Sequence, residues 1–463
     1  MAEYDYDLVI IGSGPGGYVA AIRASQLGLK TAVIEKDKPG GVCLNIGCIP
    51  TKALIHQAEV FSSISGLKAL GVKSDTSGFD YKKVFKKSRT ASQRLSRGVQ
   101  SLLKKNNVEY IEGYGKLKDG HTVEIDGEEK VTGKNIILAT GSRPKEIPVF
   151  PFDGEKVVSS DHALMFEELP ESMIILGAGS IGTEFAYILS TFGVKLTIVE
   201  MLDSILPLED RDAAEVVAKA FKKAKITIYT STKAEKVDAS GEGVSLSITK
   251  EDGSKEELEA DKLLVSVGRA PNLDNLGLED AGIETENGFI KIGDYYQTSI
   301  ESVYAIGDIV PSPMLAHAAS KEGEIVVEHL AGVNTVKRQD PNSIPNAVYS
   351  EPQVGSFGLT EKEAKDQGVE YEAASFPYRG AGKSVTMEAP EGLVKVIYDP
   401  KTKEILGGHV AGVDATEIVH ELLLAKKSEL LPEDIATMVH AHPTLSEAVM
   451  ESARSVEGWA IHV

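Results

Sequence analysis

The stretch YDLVIIGSGPGGYVAAIRASQLGLKTAVIEK, residues 6–36, decides the fold. An apolar run ends in Gly12-Ser-Gly14-Pro-Gly-Gly17, a helical pattern follows, and a second apolar run closes on Glu35. Strand, glycine turn, helix, strand and acid, in that order, make a unit that binds a dinucleotide. The first glycine permits the tight turn, the second lets backbone approach a pyrophosphate, and the third lets helix pack on strand. The helix N-terminus faces the negative phosphates, and the terminal carboxylate accepts hydrogen bonds from ribose hydroxyls.

The pattern returns in SMIILGAGSIGTEFAYILSTFGVKLTIVEM, residues 172–201, with Gly177, Gly179, Gly182 and Glu200. In both copies the acid follows the last motif glycine by eighteen residues. One such turn is a weak signal, but two with the same spacing imply two dinucleotides. Glu200 would repel a 2′-phosphate, and VEMLDSILP, residues 199–207, offers no arginine near the ribose, so the second unit reads as an NAD site. TSIESVYAIGDI, residues 298–309, reads as a short strand ending in Gly307-Asp308. An aspartate there fits the ribityl chain, or a phosphate-bridging water, of FAD in the first unit.

The class is therefore α/β, with two Rossmann-like dinucleotide-binding domains, for FAD and NAD, and a C-terminal α+β domain. The expected boundaries are 1–145 for the first part of the FAD domain and 146–268 for the NAD domain. Residues 269–340 form a central domain completing the FAD site, and 341–463 the C-terminal domain. KNIILATGSRP, residues 134–144, and DKLLVSVGRAPN, residues 261–272, parallel one another and read as crossing points between domains. Between the two units YKKVFKKSRTASQRLSRGVQSLLKKNNV, residues 81–108, reads as one long helix with clustered basic residues. A solvated face is the ordinary reading of such a cluster, and a partner-binding patch the alternative.

The chain has 463 residues and a formal net charge of -20. Such a surface does not attract nucleic acid or an anionic membrane, and a basic protein segment is a better electrostatic match. No apolar run reaches the length of a membrane span. The acidic start MAEYDYDLVIIG lacks the features of a secretory signal or a transit peptide. The expectation is a cytoplasmic protein, or a mitochondrial matrix protein from which a presequence was removed.

Both cysteines of the chain lie in GGVCLNIGCIPTK, residues 40–52, with four residues between them. Tetrahedral zinc wants four ligands, and the ten histidines offer no pair at finger-like spacing. In a reducing compartment a close pair beside a flavin motif points to redox chemistry, a disulfide that opens to two thiols. Two inert buried thiols are the alternative.

GGVCLNIGCIPTKAL closely resembles the active-site segment of the flavin-linked, pyridine nucleotide-disulfide oxidoreductases. The whole chain is similar, since GSGPGGYVAA, LATGSRP, GAGSIGTEFA, VGRAPN, YAIGD, PMLAHAA and HAHPTLSEA occur in the family's order. Ala318 stands where many members carry lysine, and Val42 where threonine is usual. The form CLNIGCIP with AHPTLSEA is most similar to the branch that oxidises dihydrolipoamide on lipoyl domains. A glutathione reductase is the nearest rival, and Glu200 argues against its NADP pocket.

The resemblance implies that Cys43 is the interchange thiol, Cys48 the charge-transfer thiol against the flavin, His442 the base and Glu447 its carboxylate partner. His440 is read as structural. Lys52 and Glu184 resemble the pair beside the flavin ring. Gly115, Thr140, Gly141, Asp308, Ala316 and Gly268 complete the cofactor-binding set formed by the two glycine motifs, Glu35, Lys52 and Glu200. The resemblance also implies that the C-terminal domain makes a homodimer with active sites shared across subunits. The implied partners are the acyltransferase core of 2-oxo acid dehydrogenase complexes or the glycine cleavage H-protein.

Overall fold

The computed structural model describes residues 4–463. The reading of the acidic start rests in part on residues 1–3, which lie outside the described residues. The chain divides into two compact units. Met1–Leu54, Lys82–Lys145 and Arg269–Gln339 form the first, and Ile55–Tyr81, Glu146–Gly268 and Asp340–Val463 the second.

The first unit is built on β1 (Tyr6–Ile11), α1 (Pro15–Gln26) and β2 (Thr31–Glu35), followed by α2 (Gly41–Ile46), the start of α3 (Cys48–Ala69, of which Ile55 onward belongs to the second unit) and α4 (Tyr81–Lys105) from Lys82. After them come β3 (Glu109–Glu112), β4 (Gly115–Leu117), β5 (Thr122–Ile125) and β6 (Glu129–Leu138). The sheet order is β3-β2-β1-β6-β5-β4, with Val303–Ala305 also paired to β6. β1 lies parallel between β2 and β6, and both of its faces are buried, Leu8 and Ile10 in one apolar cluster and Val9 and Ile11 in another. That is why Leu8 to Ile11 form an unbroken apolar run rather than an alternating one. Pro15 opens α1, where its fixed φ suits a helix and its missing N–H costs nothing. Strands Ser142–Pro144 and Arg269–Pro271, the two similar segments of the sequence, pair antiparallel with each other.

The second unit repeats the plan. Its five parallel strands run in the order Thr227–Tyr229, Lys195–Val199, Ser172–Leu176, Lys262–Val265, Val157–Val158. A separate antiparallel sheet joins Lys233–Asp238, Val244–Thr249 and Lys255–Ala260. The C-terminal residues form a five-stranded antiparallel sheet, ordered Asn346–Val348, Gln353–Gly358, Ile405–Gly412, Leu393–Tyr398, Glu372–Pro377. Its core is an apolar cluster including Phe357, Phe376, Tyr378 and Leu422, to which helices Ala415–Lys427 and Ser446–Val456 contribute. Two dinucleotide-type units and a C-terminal α+β module are thus the architecture. Among the described residues no helix is long and apolar enough to cross a membrane.

Candidate active site

Gly40 and Gly41 turn the chain from β2 into α2, both at positive φ. A Cβ on Gly41 would lie 2.7 Å from Cα of Gly14, so the start of α2 rests directly on the first glycine loop. Cys43 sits inside α2, and Cys48 is the first residue of α3. Gly47 separates the two helices, with φ −148 and ψ −117. The Asn45 amide holds the segment by donating to the carbonyls of Pro39, at 3.1 Å, and Gly41, at 2.9 Å. The two cysteines lie within hydrogen-bonding reach of each other. The Cys48 sulfur, and then burial, push the Cys43 thiol upward, against the charge of Lys52. Lys52 stands one turn beyond Cys48 on α3.

The glycine loops of the two units have the same internal wiring. In the first, the Ser13 N–H and hydroxyl each donate to Glu35 Oε2 at 2.8 Å, and the Asp37 N–H donates to Oε1 at 2.9 Å. In the second, the Ala178 N–H donates to Glu200 Oε2 at 2.7 Å and the Leu202 N–H to Oε1 at 2.9 Å. A Cβ on Gly17 would come within 1.9 Å of the Gly12 carbonyl oxygen, and one on Gly182 within 2.0 Å of that of Gly177. The middle glycines, Gly14 and Gly179, instead face open space at the N-caps of their helices. Each loop therefore joins a bare helix N-terminus to a carboxylate already clamped at the strand end, a setting for a pyrophosphate and a ribose.

The other expected residues fall as follows. Gly115 opens β4 and is buried. Thr140 donates its hydroxyl to the Asn272 carbonyl at 2.8 Å, and the Asn272 N–H donates to Gly141 at 2.9 Å. The Ser142 hydroxyl donates to the Asp308 carboxylate, while Arg269 Nε donates to the Ser142 hydroxyl oxygen at 2.7 Å. Ala316 is the first residue of helix Ala316–Leu330, and Gly268 has φ +121. Ala318 is buried, and its carbonyl accepts from the Gln339 amide at 2.8 Å.

In the second unit Glu184 is buried on helix Ser180–Thr191 and accepts the Tyr349 N–H at 3.1 Å. His442 Nδ1 lies 2.9 Å from Glu447 Oε1 and 3.2 Å from Oε2. Burial works to raise the Glu447 carboxyl, but the Thr444 N–H, 2.8 Å away, and His442 hold it below the usual range. His442 is largely exposed, whereas the His440 side chain is buried with Nε2 at 2.7 Å from Glu421.

Three residues of this neighbourhood escaped the sequence reading. Tyr18 of α1 has its hydroxyl pushed upward by burial and then by Cys43. Arg89 of α4 donates to the carbonyl of Asn45, between the cysteines, at 2.9 Å. Glu322 is fully buried, with Oε2 on the Gly307 N–H at 2.6 Å. Burial, and more weakly Asp308, raise its carboxyl to about 7. Its place at helical spacing from Ala318, Ile325 and Val326, on the apolar side of helix Ala316–Leu330, was the one available signal.

Residues 6–323 match the family described as pyridine nucleotide-disulphide oxidoreductase, and 344–453 match the dimerisation domain of that family. The chain is similar to the dihydrolipoyl dehydrogenase of Mycobacterium leprae, at 42% identity with 99% of each chain covered. It is also similar to that of Bacillus subtilis, at 41% identity with 99% of each covered. Among solved structures it resembles LpdA from Mycobacterium tuberculosis, with a TM-score of 0.88, 25% identity, and 97% of this chain and 99% of that chain covered.

Proposed function

The chain belongs to the pyridine nucleotide-disulphide oxidoreductases, and from that premise we propose that it oxidises protein-bound dihydrolipoamide to lipoamide with NAD⁺ as final acceptor. The observation that carries the reading is the Cys43–Cys48 pair, seated on the glycine loop of the first dinucleotide unit. The full-length relatives named dihydrolipoyl dehydrogenase support the substrate.

FAD and NAD are the cofactors, and the residues fit both. The Gly12–Gly17 loop, the N-terminus of α1 and Glu35 would hold FAD, with Asp308, Gly115, Thr140, Gly141, Ala316 and Lys52 completing its site. The Gly177–Gly182 loop, Glu200 and Gly268 would hold NAD. Glu200, already anchored by two backbone donors, would accept from the ribose hydroxyls and disfavour a 2′-phosphate. When bound, FAD supplies a two-electron carrier between the enzyme dithiol and the nicotinamide.

The protein's own part is thiol chemistry. With Nδ1 held by Glu447, His442 has Nε2 left to take a proton from one substrate thiol. The substrate thiolate attacks Cys43 Sγ of the oxidised pair; the Cys43–Cys48 bond breaks and Cys48 leaves as thiolate. The second substrate sulfur attacks the mixed disulfide, closes lipoamide and releases Cys43. Two electrons pass from the substrate dithiol to the enzyme disulfide, and the two thiol protons pass to His442 and Cys43. The N-terminus of α3 favours negative charge on Cys48. The site is shared in a homodimer, Cys43 and Cys48 of one protomer facing His442 of the partner subunit. The proposed complexes are those of 2-oxo acid dehydrogenation, through the acyltransferase core, or of glycine cleavage, through the H-protein.

NADH formation from dihydrolipoamide and NAD⁺ tests the reading, beside NADPH-dependent reduction of glutathione disulfide. Activity in the first assay alone, lost in Cys43→Ser, is expected. Activity in the second alone would transfer the chain to the glutathione-reducing branch.

A further inference from the structure

α4 carries nine lysines and arginines and no acid over 25 residues. The chain as a whole has 69 acidic and 49 basic residues, so an average stretch of that length would hold three or four acids. One side of α4 is ordinary core, with Tyr81, Val84, Ser88, Val99 and Leu103 buried. The opposite side is a single stripe at helical spacing, Lys83, Lys86, Arg94, Arg97 and Lys104, with uncharged Thr90 and Ser101 filling its gaps. It runs for roughly 30 Å. All five cations are exposed, as is Lys105 beside them, and none of the six forms an ion pair with any described residue.

This arrangement works against the helix. Neighbouring like charges three and four residues apart repel one another. Lys82 and Lys83 also stand in the first turn, where the helix dipole disfavours cations. A glutamate at position 90 or 101 would relieve the strain, and neither position has one. The inner face of the same helix supports the redox segment. Arg89 donates to Asn45, Ser96 donates to the Pro39 carbonyl at 2.8 Å, and Val99 and Leu103 share an apolar cluster with Leu44 and Cys43.

We propose that the outer stripe of α4 is the docking surface for an acidic protein domain, the one that carries the dithiol substrate on a flexible arm. The proposal rests on the reading of the reaction given above. Charge complementarity selects the partner. Outside α4 the chain carries a net charge of -29, from -20 overall less the nine cations. A long phosphate polymer or a membrane would overrun a stripe one helix wide and meet that acidic surface, whereas a small acidic domain need cover only the stripe.

The test uses a recombinant lipoylated domain of acidic surface as probe, with the full-length flavoprotein. Its dissociation constant is measured by calorimetry at low and at moderate salt. The proteins are the parent, a charge-reversed variant (Lys83→Glu, Lys86→Glu, Arg94→Glu, Arg97→Glu) and a neutral one with glutamine at the same positions. The expected result is binding by the parent that weakens with salt, and a loss of affinity of about tenfold or more on charge reversal. The neutral variant should fall between the two, and turnover of free dihydrolipoamide should stay unchanged in all three. Equal affinity and equal salt dependence in the three proteins would overturn the proposal. So would a stripe whose reversal abolishes binding of duplex DNA or anionic vesicles but not of the domain. Turnover of free dihydrolipoamide by the parent is a separate readout: its absence strikes the reaction assignment, whereas the affinities judge the docking surface.

Discussion

In the proposed role of base, His442 would act through the nitrogen that Glu447 leaves free. Nδ1 faces both oxygens of Glu447, which are acceptors only, so that nitrogen carries the hydrogen and Nε2 is the basic one. Replacing His442 with Gln should lower kcat/KM for dihydrolipoamide by roughly 10²–10⁴ and leave reduction of the bound flavin by NADH intact. Stopped-flow absorbance separates the two halves, and an unchanged dihydrolipoamide half-reaction would remove His442 from the role of base. Glu447→Gln, which keeps a hydrogen-bonding partner but loses its charge, should cost less than His442→Gln. On the same proposal Glu200 would set the choice of nucleotide. The parent should prefer NAD⁺ over NADP⁺ by about a hundredfold or more. Glu200→Ala should narrow that ratio, and steady-state kinetics with the two nucleotides will measure it.

Among the secondary-structure elements, legibility follows sequence distance. The β1-α1-β2 unit and its repeat were readable because every contact that defines them lies within one short stretch. The long helix α4 was readable from its period, and the strand before Gly307 from its apolar run. The Ser142–Asp308 hydrogen bond, the Arg89–Asn45 bond and the pairing of Ser142–Pro144 with Arg269–Pro271 join residues far apart in the chain, and no local pattern encodes such partners. The same holds for Glu209, just before helix Arg211–Lys223, which receives the Ser356 hydroxyl at 2.5 Å. Burial, with Glu363 and Asp210 adding to it, raises the Glu209 carboxyl to about 7 despite that hydrogen bond. Between the ordinary value of 4.5 and about 7 the folded protein keeps a proton that the unfolded chain has lost. Its stabilisation is therefore complete below that range and disappears as pH rises through it. Glu209→Gln, neutral at every pH, should flatten the fall in Tm between about pH 4.5 and pH 7, an effect on the order of 1–3 kcal/mol. Parallel thermal melts of parent and variant across that range would contradict this.

At the level of the whole molecule the claim is that two subunits build each site. Cys43→Ser and His442→Gln are then complementary defects. A mixed dimer has one site with both changes and one site with neither, so random reassociation of the two inactive proteins should restore about a quarter of parental activity. No recovery, with mixed dimers verified by native mass spectrometry, would locate both groups in one protomer. Because the chain has only two cysteines, the central claim can be tested by counting thiols. The isolated protein is alkylated in denaturant before and after anaerobic treatment with dihydrolipoamide, and the intact mass is read. No added groups are expected before treatment and two per chain after it. Two groups before treatment and no dependence on dihydrolipoamide would contradict a redox disulfide at Cys43 and Cys48.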